Sequence, residues 1–246
     1  MKAIWLSLCT IAAFGSEEPK LNSLPPPDVT HDFLTIDNIH GTVMIETDFI
    51  FRGISFSGHL PFALGSILYN YKGLFMGITG FNTNLSAGGI GLEPIIGYNL
   101  DKKDWSLDGF VHYFVIPSYT TTESPEMLEF LISYTYKTKW VQPSVGLAFS
   151  PNFSFRQGTG WFPYAKVDVL FPQRFTLQGS IGCQTTVKGH SEYWFRNYLT
   201  WTVSLFRDFK GFSLGINYNA TNLSKKDCNG RNAAIPTLVG TLETRY

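Results

Sequence analysis

The gaps between successive strand-like segments alternate in length along almost the whole chain, from about residue 39 to Tyr246. Segments of about ten residues, each switching apolar and polar with period two, recur about twelve times. Tight charged turns stand at Lys72-Gly73, Asp101-Lys102-Lys103-Asp104, Lys137-Thr138-Lys139, Phe171-Pro172-Gln173-Arg174 and Arg207-Asp208-Phe209-Lys210-Gly211. Between them come longer Gly/Ser/Asn/Pro-rich stretches such as 117–126, 150–160 and 220–233. Short turns on one side and long loops on the other are what a β-barrel spanning a membrane requires. A soluble β-sandwich has no cause to sort its connections this way. The predicted fold is all-β: a transmembrane up-and-down antiparallel barrel of about 12 strands in a bacterial outer membrane, both termini on the periplasmic, short-turn side.

The pattern places strands near 40–51, 61–71, 74–82, 91–99, 105–116, 127–136, 140–149, 161–170, 174–184, 194–206, 212–219 and 235–246. Residues 1–15 read as a secretory signal: Lys2, then an apolar run from Ala3 to Phe14, then the small-residue site at Ala13-Phe14-Gly15. That run is too short to cross a bilayer as a helix. Residues 16–38, with Pro25, Pro26 and Pro27, read as an irregular periplasmic lead, and 39–246 as the barrel.

Within the strands the two faces separate. Val43, Ile45, Phe49 and Phe51 share one face of the first strand, and Glu46, Asp48 and Arg52 the other. In the fifth, Trp105, Leu107, Val111, Tyr113 and Val115 oppose Ser106, Asp108 and His112. In the ninth, Phe175, Leu177, Ile181 and Cys183 oppose Thr176, Gln178, Ser180 and Gln184. Because successive side chains point to opposite faces, this pattern predicts an apolar wall toward lipid and a polar lumen. Trp105, Trp140, Trp161 and Trp194 at strand starts, and Tyr69, Tyr71, Tyr98, Tyr134 and Tyr136 at strand ends, sit where membrane interfaces would fall. Trp201, mid-strand, reads as lipid-facing. Leu238, Gly240, Leu242, Thr244 and Tyr246 share the outward face of a last strand that ends on an aromatic, the form of a signal read by the barrel-assembly machinery.

Composition agrees. Only 15% of residues are charged and 16% are aromatic, against about a quarter charged in a soluble domain. The formal charge of zero gives nucleic acid no reason to bind. With the signal removed, Cys183 and Cys228 remain; they have no metal-ligand or redox spacing, and their pairing is left open. No Ser–His, zinc-binding or phosphate-loop motif is present, and His31, His40, His59, His112 and His190 are isolated. No enzyme and no cofactor are expected.

The stretch Thr47-Asp48-Phe49-Ile50-Phe51-Arg52-Gly53-Ile54-Ser55 resembles the opening strand of the TorF-like porin family, whose hallmark is an aspartate, an aromatic pair and Arg-Gly-Ile-Ser. Gly77, Gly80, Gly97-Tyr98 and the aromatic C-terminus follow in a consistent order, so the resemblance spans about residues 40 to 246. Phe56 departs from it, since the family usually has a polar residue there. The resemblance implies an outer-membrane barrel that passes small solutes, and it brings no particular solute.

Function would then reside in the lumen. The inward candidates are Glu46, Asp48, Arg52, Glu93, Asp108, His112, Glu129, Lys166, Asp168, Glu243 and Arg245, with seven acids against three bases apart from the histidine. Charges lining a pore bias its ion selectivity; charges on adjacent strands can instead pair and brace the wall. Arg52 is expected near the outer mouth, paired with acids of its own strand and of the neighbouring wall, because an enclosed charge is costly unless compensated. The expected function is a narrow passive channel for small hydrophilic solutes with a weak cation preference. The alternatives are a non-conducting structural or adhesive barrel and an outer-membrane lipid hydrolase.

Overall fold

The computed structural model describes residues 38–83, 89–117, 125–187, 197–228 and 232–246. The expected signal and almost all of the lead, with Trp194, His31 and His190, lie outside them. Twelve strands close into one antiparallel barrel: β1 (Ile39–Glu46), β4 (Phe62–Tyr71), β5 (Leu74–Thr83), β6 (Gly89–Asp101), β7 (Trp105–Phe114), β8 (Met127–Tyr136), β9 (Val141–Ser150), β10 (Gly160–Phe171), β11 (Phe175–Thr186), β12 (Tyr198–Asp208), β13 (Phe212–Thr221) and β14 (Thr237–Arg245). Each strand pairs with its neighbours in sequence. β14 returns to β1 with Thr42 opposite Arg245 and Glu46 opposite Thr241. The two remaining strands, β2 (Ile50–Phe51) and β3 (Ile54–Ser55), pair only with each other.

The connections alternate as their chemistry dictates. Lys72 (φ 50°) and Gly73 (φ 90°) make the two-residue turn between β4 and β5, with both central residues left-handed. A Cβ at Gly73 would fall 2.4 Å from the Asn99 carbonyl oxygen, so glycine is required there. The turns after β6, β8, β10 and β12 are at this same end, and so are both ends of the barrel sheet, at Ile39 and Arg245. All the longer connections leave the opposite end.

The outward face carries Val43, Ile45, Ile67, Ile78, Ile96, Ile132, Val145, Ile181, Val203, Ile216 and Leu242, all exposed. Exposed Tyr98, Tyr134, Tyr136 and Trp140 ring the short-turn end. Trp201 is exposed mid-strand, Leu238 is exposed on the last strand, and Tyr246 is exposed just past its end. A continuous apolar belt bordered by amphipathic rings is stable against lipid and not against water.

The interior departs from a simple polar lining. Leu68, Phe75, Ile95, Phe110, Leu131, Ala148 and Phe162 form one buried cluster on the inner wall. Glycines on neighbouring strands make room for its rings: a Cβ at Gly97 would fall 2.3 Å from Phe75 Cζ and 2.4 Å from Phe110 Cβ. The rings therefore lie against the wall, over bare backbone, instead of standing across the lumen. Cys183, half-buried on β11, and Cys228, buried in the β13–β14 connection, are both free thiols. Burial pushes the Cys228 thiol above its usual range.

Candidate functional site

The connection from β1 to β4, residues 47–61, turns into the barrel and builds the site. The first barrel strand ends at Glu46, not near residue 51. Phe49 and Phe51, expected on the lipid face, are buried inside, and Arg52 (φ 49°) sits in a tight turn and not on a strand. The cause is local hydrogen bonding that competes with the sheet ladder. The Asp48 carboxylate accepts from Ser55 Oγ at 2.7 Å and Ser57 Oγ at 2.6 Å, with His59 Nδ1 2.8 Å from its other oxygen. The Phe49 amide donates to Ser57 Oγ at 2.9 Å, and the Phe56 amide to the Phe49 carbonyl at 2.8 Å. These bonds fold 48–59 into a small hairpin whose arms are β2 and β3 and whose tip is Arg52-Gly53.

Only glycine fits the tip. Gly53 has φ 79°, and a Cβ there would fall 2.2 Å from Thr221 Cγ2 and 2.5 Å from Thr200 Oγ1, on β13 and β12 across the lumen. Arg52 completes the crossing. Its Nη2 lies 2.5 Å from Glu129 Oε2 on β8, and its Nη1 donates to Gln184 Oε1 on β11 at 2.7 Å. The guanidinium carbon is 4.2 Å from the centre of the Phe162 ring, 4.8 Å from that of Phe51 and 5.3 Å from that of Phe153. A weakly hydrated planar cation tolerates such an aromatic box better than an ammonium would.

Behind Glu129 the charges continue along the wall. His112, directly opposite Glu129 in the β7–β8 register, places Nε2 3.2 Å from Glu129 Oε1 and Nδ1 2.5 Å from Glu93 Oε1. Arg52, Glu129, His112 and Glu93 thus form one buried row of alternating basic and acidic side chains, the arrangement that limits the cost of enclosing charge.

The hairpin's apolar side packs against the long-loop ends of the strands. Phe49 stacks on Phe62 at 4.3 Å with 14° between the rings. Together with Met44, Phe51, Leu64, Phe81, Phe114, Ile116, Met127 and Phe153 they form a buried core inside the barrel. Ile54 packs with Tyr198, Leu223, Cys228 and Ala234. The long-loop half of the lumen is filled by protein.

The short-turn half is lined differently. Lys166 Nζ lies 2.9 Å from Asp168 Oδ2, and Gln178 Nε2 donates to Asp168 Oδ1 at 2.7 Å. Arg245 Nε and Nη2 bind Glu243 at 2.7 and 3.1 Å. Asn99 Nδ2 donates to Asp108 there; at the other end of β1, opposite Phe62, Glu46 Oε1 accepts from Thr241 Oγ1 at 2.9 Å. Among the described residues, Glu46 and Asp108 have no cation within ion-pair distance.

A family model with the description "Bacterial protein of unknown function (Gcw_chp)" matches residues 37–240. The chain belongs to the Gcw_chp family. No curated protein matches it in sequence. Among solved structures, this Gcw_chp barrel is similar to the KdgM porin, with a TM-score of 0.57 at 9% identity, covering 84% of this chain and 98% of that one. It is similar to the NanC porin, with a TM-score of 0.57 at 8% identity, covering 83% and 97%. A third, "KdgM porin in complex with disordered oligogalacturonate", gives 0.53 at 9% identity, covering 85% and 97%. At these identities the likeness shows the fold alone: a closed antiparallel barrel of twelve strands.

The structure brings Arg52, Glu129, His112 and Glu93 into one row, and leaves Glu46, Asp108, the Lys166–Asp168 pair and the Glu243–Arg245 pair apart from it. Asp48 holds the hairpin together. Arg52 is not paired with Glu46 or Asp48 of its own segment, as expected from even spacing; its partners come from the opposite wall. Phe153 and Phe162 around the guanidinium escaped sequence reasoning; Gln184 was placed on the polar face of its strand but not among the site candidates. The Arg52-Gly53 dipeptide, a left-handed turn pair between two short apolar arms, was the signal for the hairpin. For the rings, the signal was glycine at inward positions beside aromatic residues.

The Asp48–His59 contact does not make a hydrolytic site. Both nearby serines donate to the carboxylate, and His59 Nε2 is 2.9 Å from the Asn232 carbonyl oxygen, so no hydroxyl faces the imidazole. Among the described residues, no group of three or more His, Cys, Asp or Glu side chains could hold a metal ion.

Proposed function

We propose that this Gcw_chp barrel is a narrow outer-membrane channel for small hydrophilic solutes with a weak preference for cations. The observation that carries the reading is the lining of the short-turn half. Polar side chains and internally paired charges line it beside the apolar wall cluster of Leu68, Phe75 and Phe110, and Asp108, a carboxylate without a cation at ion-pair distance, leaves it net acidic; Glu46, at the plug end of β1, adds a second such acid deeper in the lumen. Such a wall favours water and cations over apolar or anionic solutes. An acidic oligosaccharide such as the oligogalacturonate of the KdgM complex would meet the wrong field. The first-segment motif that resembles the TorF-like porins supports the same reading. Outer-membrane lipid around the apolar belt, and the barrel-assembly machinery at the strand ending in Tyr246, are the partners this reading assigns.

The filled long-loop half favours a second reading, a non-conducting structural barrel. Reconstitution into planar bilayers separates the two. Discrete conductance steps, with swelling of protein-containing liposomes in small neutral sugars, support the channel. Silence in both assays supports the structural barrel.

A further inference from the structure

We infer that residues 47–61 are a releasable plug, latched across the lumen by Arg52 on Glu129 and Gln184; the inference rests on the channel reading and adds its regulation. Three observations carry it. The barrel wall is complete without the segment, because β1 pairs directly with β4 down to Glu46 opposite Phe62, so the plug contributes no strand to the sheet. It leaves and re-enters the wall at that same pair, so its root is a single hinge.

The plug also holds its own shape. The Asp48 carboxylate, Ser55, Ser57, the Phe49 and Phe56 amides and the β2–β3 pairing are internal to it, and would persist if it moved. Among the described residues, its polar ties to the rest of the barrel away from the root are few by comparison. They are Arg52 to Glu129 and Gln184 at the tip, the Ser55 amide to the Ala233 carbonyl and His59 Nε2 to the Asn232 carbonyl; at the root itself, Thr47 exchanges two hydrogen bonds with Gly240 and the Pro61 carbonyl accepts from Asn82 Nδ2, as a hinge fixed to the wall would. The remaining contacts are apolar and aromatic, which can slide without leaving a polar group unpaired.

Of the tip contacts only Arg52 is charged, and it is bonded on two sides by different strands. Removing either the guanidinium or its carboxylate partner takes away the compensated pair that makes the closed position favourable. Glu129 is itself held by His112 at 3.2 Å, so the latch has a fixed receiving side on the wall.

Single-channel recording in planar bilayers tests this with four proteins: the native chain, Arg52→Ala, Glu129→Gln, and a variant with residues 48–60 replaced by a short Gly/Ser linker. The linker variant is expected to conduct most. Arg52→Ala and Glu129→Gln are expected to raise open probability about tenfold over the native chain. Independently, Phe51→Cys in a Cys183→Ser/Cys228→Ser background should react faster with a membrane-impermeant maleimide once Arg52→Ala is added. If the linker variant conducts but neither latch substitution changes open probability or labelling, the latch is overturned while the channel stands. If the linker variant and the native chain are both silent, the channel reading fails, and the plug with it.

Discussion

Arg52 and Glu129 stand 77 residues apart in sequence, yet their side chains meet at 2.5 Å inside the barrel. The Arg52 partner on the second wall is Gln184, 132 residues away. One side chain thus joins a turn after the first strand to the β8 and β11 walls, and every expectation about the lumen depends on that crossing.

Breaking the pair from one side should cost more than replacing both partners. Glu129→Ala leaves a buried guanidinium without its anion, and should lower stability by about 3–5 kcal/mol. Arg52→Met combined with Glu129→Leu should recover most of that loss. Urea unfolding of the barrel in lipid vesicles, followed by tryptophan fluorescence, reads both; equal losses in the single and double variants would contradict a compensated pair.

Asp48 governs the fold of the plug, not the wall. Asp48→Ala removes the acceptor of Ser55 and Ser57 and the partner of His59, and each unpaired group costs about 1–3 kcal/mol. The β1–β14 and β1–β4 ladders do not involve its side chain. Hydrogen exchange should therefore quicken at Phe49 and Phe56 and stay slow at Met44. Uniform acceleration would show that Asp48 holds the barrel itself.

The alternation of the wall was legible in the sequence, and the plug was not. Val43 and Ile45 face out and Met44 and Glu46 face in, as a period of two demands. The same period carried forward puts Phe49 and Phe51 on the lipid side, because hydrophobicity alone does not distinguish a ring in lipid from a ring in a filled lumen. What stops the strand is a carboxylate finding two serines seven and nine residues later, and such long-range pairing leaves no periodic trace. Phe75 and Phe162 were missed for a related reason. The lipid face of a membrane barrel accounts for its outward aromatics, but glycines on the inner wall give inward rings a flat seat.

Two glycines of the plug should respond differently to alanine. Both have positive φ, at 79° for Gly53 and 66° for Gly58, so each substitution carries a backbone cost of about 1–2 kcal/mol. Gly53 adds a collision with Thr200 and Thr221, while a Cβ at Gly58 meets nothing within 4 Å. Gly53→Ala should therefore expel the tip and mimic loss of the latch, and Gly58→Ala should leave thiol labelling at Phe51→Cys unchanged. Equal labelling in the two variants would remove the tip from its place between β12 and β13.

Neighbouring positions on β13 test the assignment of faces. Ile216 points outward, and Asn217 points inward, donating to Thr241 Oγ1 at 2.9 Å. An arginine facing the middle of the bilayer costs about 2–4 kcal/mol, so Ile216→Arg should slow or block folding into vesicles. Asn217→Arg, placed toward the Glu46 side of the lumen, should fold at close to the native rate. The reverse order would invert the barrel's faces.

The reversal potential in a salt gradient bears most directly on the claim that the lumen conducts and that its acids set its preference. In a planar bilayer with unequal potassium chloride on the two sides, the native or linker-substituted barrel should show a reversal potential on the cation-selective side of zero. Glu46→Gln with Asp108→Asn should move it toward zero, and possession of both acids should restore it. A reversal potential at zero in the native barrel, or one that the paired substitution leaves in place, would contradict the account.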